Sequence, residues 1–234
     1  VRIFTMGGGD GKQNTSGRMN HGGHWRNEHQ WPTPQSVRTK YYIHNNNSMR
    51  LEPPIETDSS TSFRFDPDHP TPTIGGNISS LSALWPTPSH VTDPSVLPQS
   101  ARLEQIVIAG GWDQRERKDV FGATPPFDVP LSSRNDVLVF QTLPLKEDLE
   151  ITGPIEVNLW IESDAPDTDF TAKLIDLYPQ SEDYPQGFAL NLTDGIFRLR
   201  YRNSWQHPEL MTAGNVYPIK IELYATSNIF GKGH

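Results

Sequence analysis

The chain of 234 residues carries 20 Lys and Arg against 28 Asp and Glu, a formal charge of −8, so it offers no basic surface to neutralise a phosphate backbone and no nucleic-acid partner is expected. It has no Cys, which excludes disulfides and thiolate metal sites. No apolar run approaches the ~18 residues of a membrane span, and no charged-then-apolar leader is visible. A membrane partner is therefore not expected, and the compartment stays open with the cytoplasm as default.

In chain order, residues 1–6 read as a strand, followed by a Gly-, Asn- and His-rich loop to residue 36. The run Gly7-Gly8-Gly9-Asp10-Gly11 has no helix behind it, so it is not a phosphate-cradling loop. Residues 37–66 alternate apolar and polar around Tyr42, Ile43, Leu51, Phe63 and Phe65, with a polar turn at Asn45-Asn46-Asn47-Ser48. Residues 67–130 are punctuated by Pro, with one short strand predicted at 102–109; long irregular stretches of this kind are usually functional or insertions. From residue 134 the strand signals sharpen, at 137–141, 149–151, 155–162, 169–178, 187–193, 195–202 and 216–223, each bounded by turn residues. No segment sustains a helical stripe. Many short strands with regular turns predict an all-β sandwich or barrel.

The side chains that could carry chemistry are scattered. No Gly-x-Ser-x-Gly elbow occurs, so the nucleophile of an α/β-hydrolase is absent from this sequence. His21, His24, Glu28 and His29 cluster, but on a Gly-interrupted stretch that cannot present them as the His-Glu-x-x-His of a zinc helix; no metal ligand and no cofactor is expected. Asp164, Asp167 and Asp169, with Asp176 beyond, place carboxylates near one turn. Their spacing is not that of a calcium loop, and capping of the turn by side-chain to backbone bonds is the simpler expectation. Glu156 and Glu162 share a strand face and read as its polar side rather than as a glycosidase pair. Of Trp25, Trp31, Trp85, Trp112, Trp160 and Trp205, most are expected in core or domain-interface packing; Trp160 alternates against Leu159 and Ile161 and is exposed if the sheet is one-sided. Four Asn-x-Ser/Thr sequons, at Asn14, Asn46, Asn77 and Asn191, would matter only in a secreted protein.

Several short motifs recur in a fixed order along the chain. They are Val1-Arg2-Ile3-Phe4-Thr5-Met6-Gly7, Trp25-Arg26, Trp31-Pro32, Tyr41-Tyr42-Ile43-His44, Phe65-Asp66-Pro67 and Pro72-Thr73-Ile74-Gly75-Gly76. Asp113-Gln114-Arg115, Asp136-Val137-Leu138-Val139-Phe140, Asp194-Gly195-Ile196 and Ala225-Thr226-Ser227-Asn228 follow. Between these lies the stretch from Ser163 to Leu174, with Ala165-Pro166-Asp167-Thr168-Asp169 at its centre. In these motifs the chain resembles the C-terminal domain of the Xaa-Pro dipeptidyl-peptidase and cocaine-esterase-like (CocE/NonD) serine hydrolases.

The resemblance implies a jelly-roll β-sandwich of the galactose-binding-like type over residues 37–234, preceded at 1–36 by the last strand of an α/β-hydrolase domain and a crossover loop. It implies a fragment of a longer chain, with one more strand to follow after Lys232-Gly233-His234. The Ser, Asp and His of the family triad would all lie upstream, so no catalytic residue is expected here, and the partners would be the upstream hydrolase domain, its peptide or ester substrate and a possible second copy. The apolar segment after Gly75-Gly76 would lean over that active site, with Ile78, Leu81, Leu84 and Trp85 walling the acyl pocket; plain core packing of a long loop is the competing reading. From another class, a carbohydrate-binding sandwich without catalysis remains the alternative function.

Overall fold

The computed structural model describes residues 1–56, 59–75, 110–116 and 125–234. Over these the chain is nearly all β, its helical elements being the 3-10 turns Leu131–Ser133 and Leu199–Tyr201. The strands are β1 (Arg2–Gly7), β2 (Gly23–Asn27), β3 (Tyr42–Ile43), β4 (Met49–Arg50), β5 (Leu149–Ile161), β6 (Asp169–Tyr178), β7 (Phe188–Arg198) and β8 (Tyr217–Phe230). They form one sheet in the order β2-β1-β8-β5, a second of β6 and β7, and the small ribbon of β3 and β4.

Period-2 patterning explains the packing. Ile155, Val157, Leu159 and Ile161 on β5 and Ile219, Ile221 and Leu223 on β8 turn to one face. There they meet Phe170, Ala172 and Leu174 of β6 and Phe197 of β7, and Leu199 and Met211 complete the cluster. Two sheets facing each other across a shared apolar layer make a β-sandwich. The opposite face of β5 and β8 carries Glu156, Asn158, Trp160, Lys220 and Glu222, all exposed. The sheet is thus one-sided there, and Trp160 is 76% exposed.

The second half of β8 is flanked on both edges, by β5 and by β1, and Thr226, Ser227, Asn228 and Phe230 are buried. Its hydroxyl is satisfied laterally: Thr5 Oγ1 and Thr152 Oγ1 lie 2.9 and 2.7 Å from Ser227 Oγ.

The structure corrects several sequence expectations. The segments 149–151 and 155–162 are one strand, carried through Gly153 at φ 145° with a bulge between Gly153 and Ile155. Likewise 187–193 and the start of 195–202 are one strand, because Asp194-Gly195 does not turn. A Cβ on Gly195 would meet Glu222 O at 2.4 Å, so this glycine admits the β8 backbone rather than reversing the chain. Residues 137–141 are not a strand; among the described residues only Gln141 forms a bridge there, to Ser48. Strand β2 arises in the stretch read as a loop, since its side chains are mostly exposed and show no alternation, and its pairing with β1 holds it. Strand β8 runs past Leu223 to Phe230. The strand predicted at 102–109 lies outside the described residues.

Ile221 is 1% exposed at the centre of the sandwich. Ile221→Ala should cost about 2–5 kcal/mol in urea unfolding, whereas Trp160→Ala should change stability by less than about 0.5 kcal/mol. Equal losses would mean that the outer face of β5 and β8 is covered.

Candidate functional site

The expected pocket-wall residues Ile78, Leu81, Leu84 and Trp85 lie outside the described residues, but the stem that leads to them is well defined. Ile74 is fully buried and packs with Leu131 and Trp112. Gly75 follows at φ 69°, with the Trp112 ring so close that a Cβ would meet its Cγ at 2.7 Å. Only glycine fits that combination of backbone and neighbour. The stem is also held by charged side chains. Thr71 Oγ1 donates to Asp136 Oδ2 at 3.2 Å, and Arg134 Nη2 donates to His69 O at 2.6 Å.

Arg134 and Asp136 form a two-pronged ion pair at 2.8 Å on both contacts. Hydrogen bonding from this guanidinium holds the Asp136 carboxyl below the usual carboxylate range, with Thr71 adding to the effect, and Asp136 in turn raises Arg134.

The Asp113-Gln114-Arg115 motif lies in a short connector laid along β7. Gln114 N donates to Ala189 O at 3.0 Å and Asn191 N to Trp112 O at 3.2 Å, while Asp113 Oδ1 accepts from Ala189 N at 3.0 Å. Arg115 Nη1 donates to Asp128 O at 2.8 Å. Each side chain of the motif therefore ties the connector to a different segment. Gln114 is 6% exposed, and its carboxamide donates from Nε2 to Ile74 O at 2.8 Å while Oε1 accepts from Lys173 Nζ at 2.6 Å. Burial lowers the Lys173 pKa, partly opposed by Asp194, which faces it across β6 and β7.

Two of the acids around the start of β6, Asp167 and Asp169, are engaged by arginines. Asp167 accepts from Arg200 N at 2.9 Å and Arg200 Nε at 2.6 Å, and Asp169 accepts both prongs of Arg198 at 2.8 Å. The hydrogen bond from Arg198 lowers the Asp169 pKa. Asp176 is not part of this turn. It is fully buried, 2.7 Å from His234 Nδ1, and accepts from Asn228 Nδ2 at 3.3 Å. The carboxylates that looked grouped in sequence therefore serve two different junctions.

The other candidates separate as well. Glu28 pairs with Arg26 Nε at 3.1 Å, and among the described residues no three His, Asp or Glu side chains are placed to share a metal ion. Glu156 pairs with Arg38 and, at 3.8 Å, with Lys220. Of the Trp residues, Trp112 packs inside, while Trp25, Trp31, Trp160 and Trp205 are 58%, 37%, 76% and 73% exposed and so lie outside the core of this domain. Trp85 lies outside the described residues. No helix among the described residues is long and apolar enough to cross a membrane.

A feature not foreseen in the sequence is the environment of β1. A shallow groove of about 290 Å³ beside it is lined by Ile3, Phe4, Met6, Trp31 and Ala225 to Ser227. Trp25 packs edge-on to Phe4 at 5.3 Å and lies under the Arg2 guanidinium at 4.7 Å. Aromatic residues in a Gly-rich stretch were the available signal.

The ion pairs and buried polar bonds of this sandwich hold its own strands and loops together. The chain belongs to the X-Pro dipeptidyl-peptidase C-terminal non-catalytic domain family, whose model matches residues 1–234. It is 32% identical over 242 residues to the cocaine esterase of Rhodococcus sp. (strain MB1 Bresler), covering 100% of this chain and 32% of that protein. Among solved structures it is similar to an α-amino acid ester hydrolase labelled with selenomethionine, with a TM-score of 0.62, 25% identity, and coverage of 90% of this chain and 30% of that one. It shares its fold with an aminopeptidase from the marine sediment archaeon Thaumarchaeota archaeon, with a TM-score of 0.63, 24% identity and the same coverage. The chain spans about a third of the length of these relatives.

Two outcomes follow for the charged clusters. Because guanidinium groups occupy the Asp167 and Asp169 carboxylates, added Ca²⁺ should leave the melting temperature unchanged, while Asp167→Ala should lower it in the presence or absence of Ca²⁺. A rise of several degrees with Ca²⁺ that Asp167→Ala abolishes would establish a calcium site. For Asp136, a folded pKa below the unfolded value of about 3.9 contributes stability above that pH, and the contribution is lost as pH falls through the folded pKa. The stability advantage of the wild type over Asp136→Asn, measured by urea unfolding, should therefore be full at pH 6–7, shrink below about pH 4 and disappear in stronger acid.

Proposed function

We propose that this chain is the C-terminal sandwich of a longer serine hydrolase of the dipeptidyl-peptidase or acyl-esterase type, and that it covers and shapes the active site of an upstream α/β-hydrolase domain. The pairing of β1 carries this reading. On one edge β1 pairs with β2 along Arg2 to Met6, but with β8 it pairs only at Met6 and Gly7. Among the described residues no strand pairs with the remaining edge of Arg2–Phe4, beside an apolar groove and exposed Phe4 and Trp25. An open edge next to apolar surface is a strong template for another strand. The upstream domain is the natural occupant, given that the chain spans about a third of its relatives.

On this reading residues 1–36 close the hydrolase domain and cross to the sandwich, which occupies 37–234. The Ser, Asp and His that form and resolve the acyl-enzyme belong to the upstream part. This domain contributes shape: Ile78, Leu81, Leu84 and Trp85 present an apolar wall to the acyl group of an ester or amide substrate.

The isolated chain should not turn over p-nitrophenyl esters. In the full-length enzyme, Leu81→Ala and Trp85→Ala should each cost about 1–3 kcal/mol of discrimination between a benzoyl and an acetyl substrate, read as kcat/KM. Equal losses on both substrates that track lost stability would assign these side chains to the core and refute the pocket wall.

A further inference from the structure

The loop after β7 presents an aromatic surface that the core of the sandwich does not use. Trp205 is exposed, yet its ring is held in place. It stacks on Tyr201 with centroids 5.8 Å apart and 24° between planes, and meets the Phe197 ring edge-on, also at 5.8 Å. The backbone beneath it is fixed as well. Ser204 Oγ accepts from Gln206 N at 3.2 Å and from His207 N at 3.1 Å, which sets Trp205 at the tip of a tight turn. Arg202 braces the base of this loop. Its guanidinium lies 4.5 Å over the Tyr217 ring and donates from Nη1 to Leu199 O at 3.2 Å and from Nη2 to Leu210 O at 3.3 Å. Glu209 N closes the loop on Arg200 O at 2.7 Å. A large ring held rigidly in water adds little to the fold and is prepared for contact.

Charge decides which class of ligand suits this ring. The electron-rich face of an indole attracts either the flat C–H face of a sugar or a nucleobase. A nucleic acid also brings phosphates that need cations, and the arginines of this stretch are engaged: Arg198 by Asp169, Arg200 by Asp167 and Arg202 by backbone carbonyls. Glu209 is taken up by Asn203 and Arg202. Trp205 is bordered in its turn by Asn203, Ser204 and Gln206, uncharged side chains that both donate and accept. The ring is also remote from the groove beside β1. Tyr217, at the Trp205 end of β8, and Asn228, the partner of Met6, stand about 35 Å apart at a strand's rise of ~3.3 Å per residue.

We propose that the Trp205 and Tyr201 rings form a carbohydrate-binding platform for an uncharged oligosaccharide. The apolar face of one pyranose ring lies on the open face of the Trp205 indole, and its hydroxyls meet the polar side chains of the turn from Asn203 to His207. Tyr201 and Phe197 set the tilt of the indole, so the platform is formed before the sugar arrives. The proposal does not rest on the hydrolase reading, because every residue it uses belongs to the sandwich itself.

Isothermal titration of the full-length protein with maltohexaose, cellohexaose, xylohexaose and mannohexaose tests it. At least one should bind with a Kd of about 1 mM or tighter. Trp205→Ala and Trp205→Leu should each weaken that binding about ten-fold or more, while Trp205→Tyr, which keeps a flat ring, should stay within about three-fold of wild type. Trp160→Ala, which removes an exposed tryptophan from the outer face of β5, should leave binding unchanged. Melting temperatures of the Trp205 variants should stay close to that of the wild type. Failure of all four oligosaccharides to bind would overturn the proposal. So would binding that Trp205→Leu retains, or that Trp160→Ala weakens as much as Trp205→Ala does. A fall of several degrees in the melting temperature of Trp205→Ala, with no oligosaccharide bound by the wild type, would assign the ring to packing against another part of the protein.

Discussion

Strand β8 is the constraint on which the rest of the architecture depends. It pairs antiparallel with β5 from Tyr217 opposite Ile161 to Phe230 opposite Leu149, and accepts β1 in parallel at its far end. Its alternate side chains Ile219, Ile221 and Leu223 supply the buried floor of the sandwich. The same strand approaches β7 closely enough that Gly195 must lack a side chain opposite Glu222 O. Pairing fixes the strand along two edges, and burial of its inner face selects the register, because a one-residue slip would turn Ile221 to solvent and Glu222 to the core.

Around this frame, irregular segments are placed by side-chain to backbone bonds instead of by ladders. Arg134 holds His69 O, Gln114 holds Ile74 O, Asp113 holds Ala189 N, and Asp167 holds Arg200 N. Buried backbone groups outside regular structure need such partners, since an unmet donor or acceptor costs more than a hydrogen bond gains. The described parts of the Pro-punctuated stretch are held in place for this reason. It also explains why so many of the charged residues are engaged with the protein itself. The two-pronged pairs, Arg134 with Asp136 in a loop and Arg198 with Asp169 across the ends of β6 and β7, leave those carboxylates ill-suited to bind a cation.

A domain built in this way suits a supporting role in a hydrolase. Exposed Phe4 and Trp25 flank a stretch of β1 that β8 leaves unpaired. The stem from His69 to Gly75 is held at three points, by Arg134, Asp136 and Gln114.

The sequence by itself determined the all-β class, the strands β1 and β6, the placing of Trp160 on the strand face opposite Leu159 and Ile161, and membership of a family in which this domain is non-catalytic; that the Trp160 face is the open one was decided by the structure. These depend on local signals: period-2 alternation at Ile155 to Ile161, and motif order along the chain. Tertiary structure alone decided the rest. Asp194-Gly195 reads as a turn, but the nearness of Glu222 O makes the glycine a strand residue. Residues 137–141 have strand composition but, among the described residues, gain only the bridge at Gln141. Strand β2 has no alternation and exists because β1 pairs with it. Asp176 stands near Asp167 and Asp169 in sequence, but it is turned to His234 and Asn228 by the opposite end of β6. The partners of Gln114 lie 40 residues before it, at Ile74, and 59 after it, at Lys173, a distance over which no local pattern carries information.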